Sequence, residues 1–273
     1  MSRTGEGTVS TGWGKPGLTP IVKAPTPTQA PGVMRSPVGL GRAVIVLLGL
    51  VVLTDLAAIG AELNMRSLYA PLVDGDHTAY TTTAAERADR FMYLSTSLQV
   101  MAELATIVVF IIWFHRVRTN ADVLAHSVFT RGPGWAIGGW FIPIANLWIP
   151  RRIAIQIWTA SRAHPYEGAA HEPCTPVNMW WAGFITTWLV ARAAGRQYTA
   201  AQDAEEIVSA VEMLVASESV DIAAAVLTML FVHRLTGMQR ARAAEGTATR
   251  ETGQPSDVET PGGKTTPVPP MPQ

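Results

Sequence analysis

The chain has 273 residues, a formal net charge of zero and a charged fraction of only 15%. A neutral chain lacks the basic footprint expected of a nucleic-acid-binding protein, and so low a charge content excludes a strongly charged, solvated polymer. One cysteine, Cys174, excludes an intrachain disulfide framework and any multi-thiolate metal centre within one chain.

In chain order, residues 1–38 are rich in Thr, Gly and Pro and poor in bulky apolar side chains. Such a segment buries too little surface to offset its ordering entropy and reads as a disordered tail. It holds no apolar run of the kind a cleavable signal needs, so none is expected. Residues 39–243 read as a helical transmembrane domain. Four apolar runs in it have the length of spanning helices: Ala43–Leu63, Phe91–Phe114, the shorter Val177–Ala194, and Val211–Val232. Residues 244–273, ending TTPVPPMPQ, read as a second disordered tail whose prolines favour extended, solvated backbone.

Between the second and third runs lies GWAIGGWFIPIANLWIPRRIAIQIWTASRA, residues 134–163. Its apolarity suits a bilayer, but Pro143 and Pro150 interrupt it and Arg151 and Arg152 sit near its centre. Proline removes a backbone donor, and lipid cannot satisfy the groups this frees. In its second half, Arg152, Gln156 and Thr159 form a polar stripe beside an apolar face of Ile153, Ile157 and Ala160. That pattern fits an interfacial amphipathic helix, and equally a short helix buried in protein. Trp135, Trp140, Trp148 and Trp158 fit a position at headgroup level.

Arginines set the orientation. Arg35 and Arg42 precede the first run; Arg116, Arg118 and Arg131 follow the second; Arg234, Arg240 and Arg242 follow the last. Placing all three groups in the cytoplasm satisfies the positive-inside rule. The expected fold is therefore an all-α integral membrane protein with four transmembrane helices and a Pro-broken re-entrant or interfacial segment, its N-terminus cytoplasmic. The alternative makes the broken segment a kinked fifth transmembrane helix.

Several polar residues fall within the runs. Thr96, Gln99, Glu103 and Thr106 share a face of the second; Glu218, Asp221, Ala225 and Thr228 share one of the last; Asp55 and Glu62 share one of the first. Carboxylates inside a membrane are costly unless paired, protonated or solvated. Asp55, Gln99, Glu103 and Asp221 form a candidate intramembrane polar cluster, with Arg192 as the cation that neutralises one of the acids. The second and last runs also end alike, in ELATIVVFIIWFHRV and DIAAAVLTMLFVHRL, which aligns Glu103 with Asp221 and His115 with His233. This suggests two parallel helical hairpins, an arrangement some transporters use. Catalytic signals are weak. His171-Glu172-Pro173-Cys174 lacks further ligands at zinc spacing, and no serine sits in a nucleophile-elbow context. No enzymatic activity, metal or cofactor is expected.

The loop supplies Arg116, Arg118, Asn120, Ala121 and Leu124; the broken segment supplies Gly134, Trp135, Gly138 or Gly139, Trp140, Phe141, Ile142, Pro143, Ala145, Asn146, Leu147 and Pro150. Together they resemble the signature of a bacterial membrane family, domain of unknown function 4328, common in actinomycetes. The similarity covers roughly residues 40–243, and its specific part is about forty residues. The resemblance implies a multi-pass protein of the bacterial plasma membrane and supplies no activity, ligand or catalytic residue. It also suggests that loop and broken segment form one unit. Arg116 and Arg118 are then expected to meet anionic lipid headgroups, Asn120 to cap a helix ADVLA, and Asn146 to brace the proline kink.

Two functional readings follow. The first is a membrane-embedded interaction or regulatory protein with a cytoplasmic protein partner. The second is a small ion, proton or solute transporter or channel that uses the intramembrane carboxylates.

Overall fold

The computed structural model describes residues 34–78, 80–163 and 173–253. Among them the chain is all-α, with helices α1 (Val38–Val73), α2 (Thr82–Leu124), α3 (Trp135–Phe141), α4 (Ile149–Ala160), α5 (Thr175–Ala200) and α6 (Ala204–Gly253). Three of these, α1, α2 and α6, are long and apolar enough to cross a membrane. The predicted third run lies in α5, where Asn178, Thr186, Thr187 and Arg192 dilute its apolarity. At 1.5 Å per residue, α1, α2 and α6 reach roughly 54 to 75 Å and overrun a hydrocarbon core of about 30 Å. The tails read at 1–38 and 244–273 lie mostly outside the described residues, as do His171 and Glu172. α6 runs on to Gly253, past the boundary the sequence suggested.

The first and second helices extend beyond their apolar runs and leave only a short link between α1 and α2. Gly75 adopts the left-handed conformation there (φ 81°), and the Thr81 hydroxyl caps α2 by accepting from the Ala84 N–H at 3.2 Å. The basic loop after the second run is helical in its first half. No Gly or Pro interrupts residues 115–124, so α2 continues through Arg116, Arg118 and Asn120 to Leu124. Asn120 is thus inside a helix and caps nothing.

α1 is the central strut, packed along both α2 and α6, while α5 packs on α6. Gly41 permits the α1–α6 approach: a Cβ there would lie 2.8 Å from the Thr236 hydroxyl. That hydroxyl accepts from the Trp113 indole N–H at 3.2 Å. Around it runs a layer of rings. Trp180 stacks on Phe231 at 4.6 Å, Phe231 meets Trp113 edge-on at 5.8 Å, and Phe110 stacks on Phe114 at 5.9 Å. Trp113, Phe114 and Phe231 are fully buried.

The broken segment doubles back on itself. Ten residues of continuous helix would separate Gly139 from Ile149 by about 15 Å; instead Gly139 lies against the Ile149 side chain. The reversal sits at Ile144, whose φ of 66° is rare for a β-branched residue. The Ala145 N–H closes the turn on the Pro143 carbonyl at 2.7 Å, and the Asn146 N–H bonds the Ile142 carbonyl at 3.0 Å. Pro150 falls in the first turn of α4, where its missing donor costs nothing. The Asn146 side chain makes no hydrogen bond among the described residues, so the backbone, not this amide, holds the kink. The apolar face of α4 is covered by protein: Ile153, Ile157, Trp158 and Ala160 are buried. Of the two readings of its amphipathic stripe, the protein-buried one is correct. Trp135 and Trp148 remain exposed, whereas Trp140 turns into the aromatic layer.

Phe231→Ala removes a ring shared by Trp113, Trp158 and Trp180. It is expected to cost about 3–5 kcal/mol, the usual loss for deleting a buried aromatic. Thermal unfolding in lipid nanodiscs checks this, and an unchanged Tm would show that the layer is not the stabilising core.

Candidate functional site

Polar side chains on α1, α2 and α6 converge in the half of the bundle away from the aromatic layer. The Gln99 amide donates one N–H to Asp55 Oδ1 at 2.9 Å and the other to Glu218 Oε2. Asp55 is fully buried and Glu62, two turns further along α1, is 3% exposed. Each keeps one buried oxygen, Asp55 Oδ2 and Glu62 Oε2, without a hydrogen-bond partner. Glu103 and Asp221 lie within electrostatic reach of each other and of Asp55, and Glu218 within reach of Glu62. The aligned pair Glu103 and Asp221 therefore does meet in space. The hydroxyls of Thr106 and Thr228 turn back to their own helices, on the carbonyls of Ala102 and Ala224, both at 2.7 Å.

Two residues of this site differ from expectation. Arg192 does not neutralise the acids: it is exposed, with its guanidinium 6.0 Å from the Trp188 ring. It sits on an exposed face of α5, whose main packing is on α6. Among the described residues, no Lys, Arg or His pairs with any of the five carboxylates. Glu218 belongs to the site although its neighbour Asp221 drew more notice in the sequence. Its signal was the three-residue spacing that puts both on one face of α6. No group of three or more His, Cys, Asp or Glu among the described residues is arranged to hold a metal ion.

A second polar centre lies beyond the aromatic layer. The Asn120 amide clasps the backbone of Arg35, accepting from its N–H at 3.0 Å and donating to its carbonyl at 2.8 Å. Its other N–H reaches Gln239 Oε1 at 3.1 Å. Gln239, itself fully buried, donates to the Val117 carbonyl at 2.8 Å and the Ser161 hydroxyl at 3.1 Å. Each amide N–H of the pair is used, and the two ties join α2, α6, the end of α4 and the segment leading into α1. Gln239 had no sequence signal beyond its position four residues after the buried Leu235.

Arg118 also turns inward rather than to lipid phosphates. It donates to the Arg131 carbonyl at 2.7 Å, pairs with Asp122 at 3.2 Å and covers the Phe129 ring at 3.5 Å. The Asp122 carboxylate offsets part of the cost of burying this charge. These contacts fold the loop after α2 back against the helix. Arg118 therefore ties the loop to α2, whereas Asn120 ties α2 to α6 and to the segment before α1.

The family model described as Domain of unknown function (DUF4328) matches residues 76–237, more than half of the chain. The protein therefore belongs to the family that this model describes. That family is domain of unknown function 4328. No curated protein and no solved structure matches the chain.

Asn120→Ala strands two backbone groups of Arg35 and one oxygen of Gln239. With unmade buried hydrogen bonds costing about 1–3 kcal/mol, it should lower the Tm clearly. Asn146→Ala, at the other motif amide, should change stability by less than about 0.5 kcal/mol. Parallel thermal melts compare the two, and the reverse ranking would remove the tie from Asn120.

Proposed function

We propose that this is a multi-pass membrane protein that takes up protons at the Asp55–Gln99–Glu218 site and works as a membrane-embedded, proton-responsive regulatory protein. The observation that carries this reading is the amide of Gln99 held between two carboxylates while Asp55 Oδ2 and Glu62 Oε2 stay buried and unpartnered. Like charges at such range repel strongly in a low-dielectric bundle, and no basic side chain among the described residues offsets them. A proton removes the charge and supplies the missing donor in one step. It suits the site better than a metal ion, because Gln99 presents N–H donors and not its carbonyl.

The aromatic layer supports a one-sided site. Phe231 follows Asp221 by ten residues and Phe114 follows Glu103 by eleven, which is about 15 Å along either helix. The hydroxyls of Thr106 and Thr228 in that interval are turned back on their own helices, and the layer beyond them is built mainly of rings. A regulatory protein that responds to one compartment fits this better than an open channel.

For topology, the reading is four transmembrane helices, α5 being the fourth, in a plasma membrane with a cytoplasmic N-terminus. Gln239 supports it by touching both Val117 on α2 and Ser161 at the end of α4. The chain therefore leaves α2 and approaches α5 at one level, whereas a fifth span would separate those points by about 30 Å. The α3–turn–α4 excursion is then re-entrant, its exposed tip of Phe141, Ile144 and Trp148 directed toward lipid.

Two measurements test this. Infrared spectra of the protein in nanodiscs should contain a protonated-carboxyl band that diminishes as pH is raised, and Asp55→Asn and Glu218→Gln should each remove part of it. Absence of any such band would sink the proton site. A membrane-impermeant maleimide should label Cys174 only in permeabilised cells; labelling of intact cells would replace the four-span topology by five spans.

A further inference from the structure

A groove of about 490 Å³ lies between α4, α5 and α6, outside both polar centres. Leu227, Leu230, Arg234 and Met238 line it from α6, at a spacing that keeps them on one helical face. Met179 and Thr175 line it from the start of α5 and Trp158 from α4. The wall from Leu227 to Met238 is about 16 Å long, and it passes from the apolar part of α6 to the basic end. Leu230 is 53% exposed and Met179 49%, so the groove opens sideways along the helices, where a bilayer would be.

The polar groups gather at one end. Arg234 is the one charged residue lining the groove; it is exposed and has no ion-pair or hydrogen-bond partner among the described residues. The hydroxyl and backbone N–H of Thr175, at the first position of α5, also line the groove, where a helix favours negative charge. Trp158 contributes a buried ring to the wall. An apolar trough with an unpartnered cation matches a molecule with a hydrocarbon chain and an anionic head. A soluble peptide would leave Leu227 and Leu230 at hydrocarbon depth uncovered, and a zwitterionic lipid would bring its own cation against Arg234.

We infer that this groove binds one anionic phospholipid, its phosphate on Arg234 and the N-terminus of α5, and one acyl chain along Leu230 and Leu227. The inference rests on α6 crossing the bilayer and not on the carboxylate site, so the failure of one leaves the other standing. Basic pockets between transmembrane helices are a general means of holding anionic headgroups.

The test uses the full chain in nanodiscs of equal phosphatidylglycerol and phosphatidylcholine, released and weighed by native mass spectrometry. The wild type should retain one phosphatidylglycerol in clear preference to phosphatidylcholine. Arg234→Ala should reduce that retention about tenfold or more, since a hydrogen bond to a charged group is lost. Arg234→Lys should retain it in part, and Leu230→Trp, which fills the trough but keeps the cation, should lose it. Arg116→Ala, away from the groove, should retain it fully. Equal retention of both lipids, or undiminished retention by Arg234→Ala, overturns the inference. So does displacement by millimolar glycerol phosphate, which would make the groove a site for a free anion.

Discussion

An apolar bundle has no water to lend its polar groups, so each one must be satisfied by another part of the protein. The rest of this structure depends on how that constraint is met. At one end of the bundle two buried amides meet it. Asn120 and Gln239 use every amide N–H on backbone and side-chain acceptors from four parts of the chain, and these ties fix where α2, α4, α6 and the segment before α1 stand relative to one another. At the other end it is met only in part. Gln99 satisfies one oxygen each of Asp55 and Glu218, and buried carboxylate oxygens are left over. The satisfied centre is a structural tie. The unsatisfied one is where chemistry has to be supplied from outside the chain.

The aromatic layer keeps these two centres apart. Phe110, Trp113, Phe114, Trp140, Trp180 and Phe231 interlock across α2, α3, α5 and α6. Ring edges and faces pack specifically, so the layer fixes helix positions as well as filling space. It also explains the excursion between α2 and α5. Trp140 can join the layer only if the segment folds back, and the reversal at Ile144 with the close approach of Gly139 to Ile149 allows that. The backbone strain at Ile144 is thus the cost of placing α3 and α4 against the same layer.

Much of this was legible in the sequence, and the reasons differ from place to place. Apolar length alone gave α1, α2 and α6, because a bilayer demands it. The carboxylates declared themselves, since an acid in an apolar run has no neutral explanation. Arg192 misled because sequence gives the helix it lies on but not the face that helix presents to its neighbours. Arg118 misled in the opposite way: a basic residue beyond an apolar run usually faces headgroups, and here α2 continued and turned it inward. The resemblance singled out Arg118 and Asn120, and their contacts are internal rather than with headgroups or a helix end.

The sequence by itself determined that this is a helical protein with helices long and apolar enough to span a membrane, an interrupted central segment and several acids in apolar surroundings. Those properties follow from local composition and from what a bilayer tolerates, and no fold is needed to read them. Only the tertiary structure decided which acids share a site, that Gln99 joins two of them with no arginine nearby, and that Gln239 ties both ends of the central excursion. These depend on helix rotation and register, which are set by packing among residues as far apart in the chain as Gly41 and Thr236. No window along the chain contains that information.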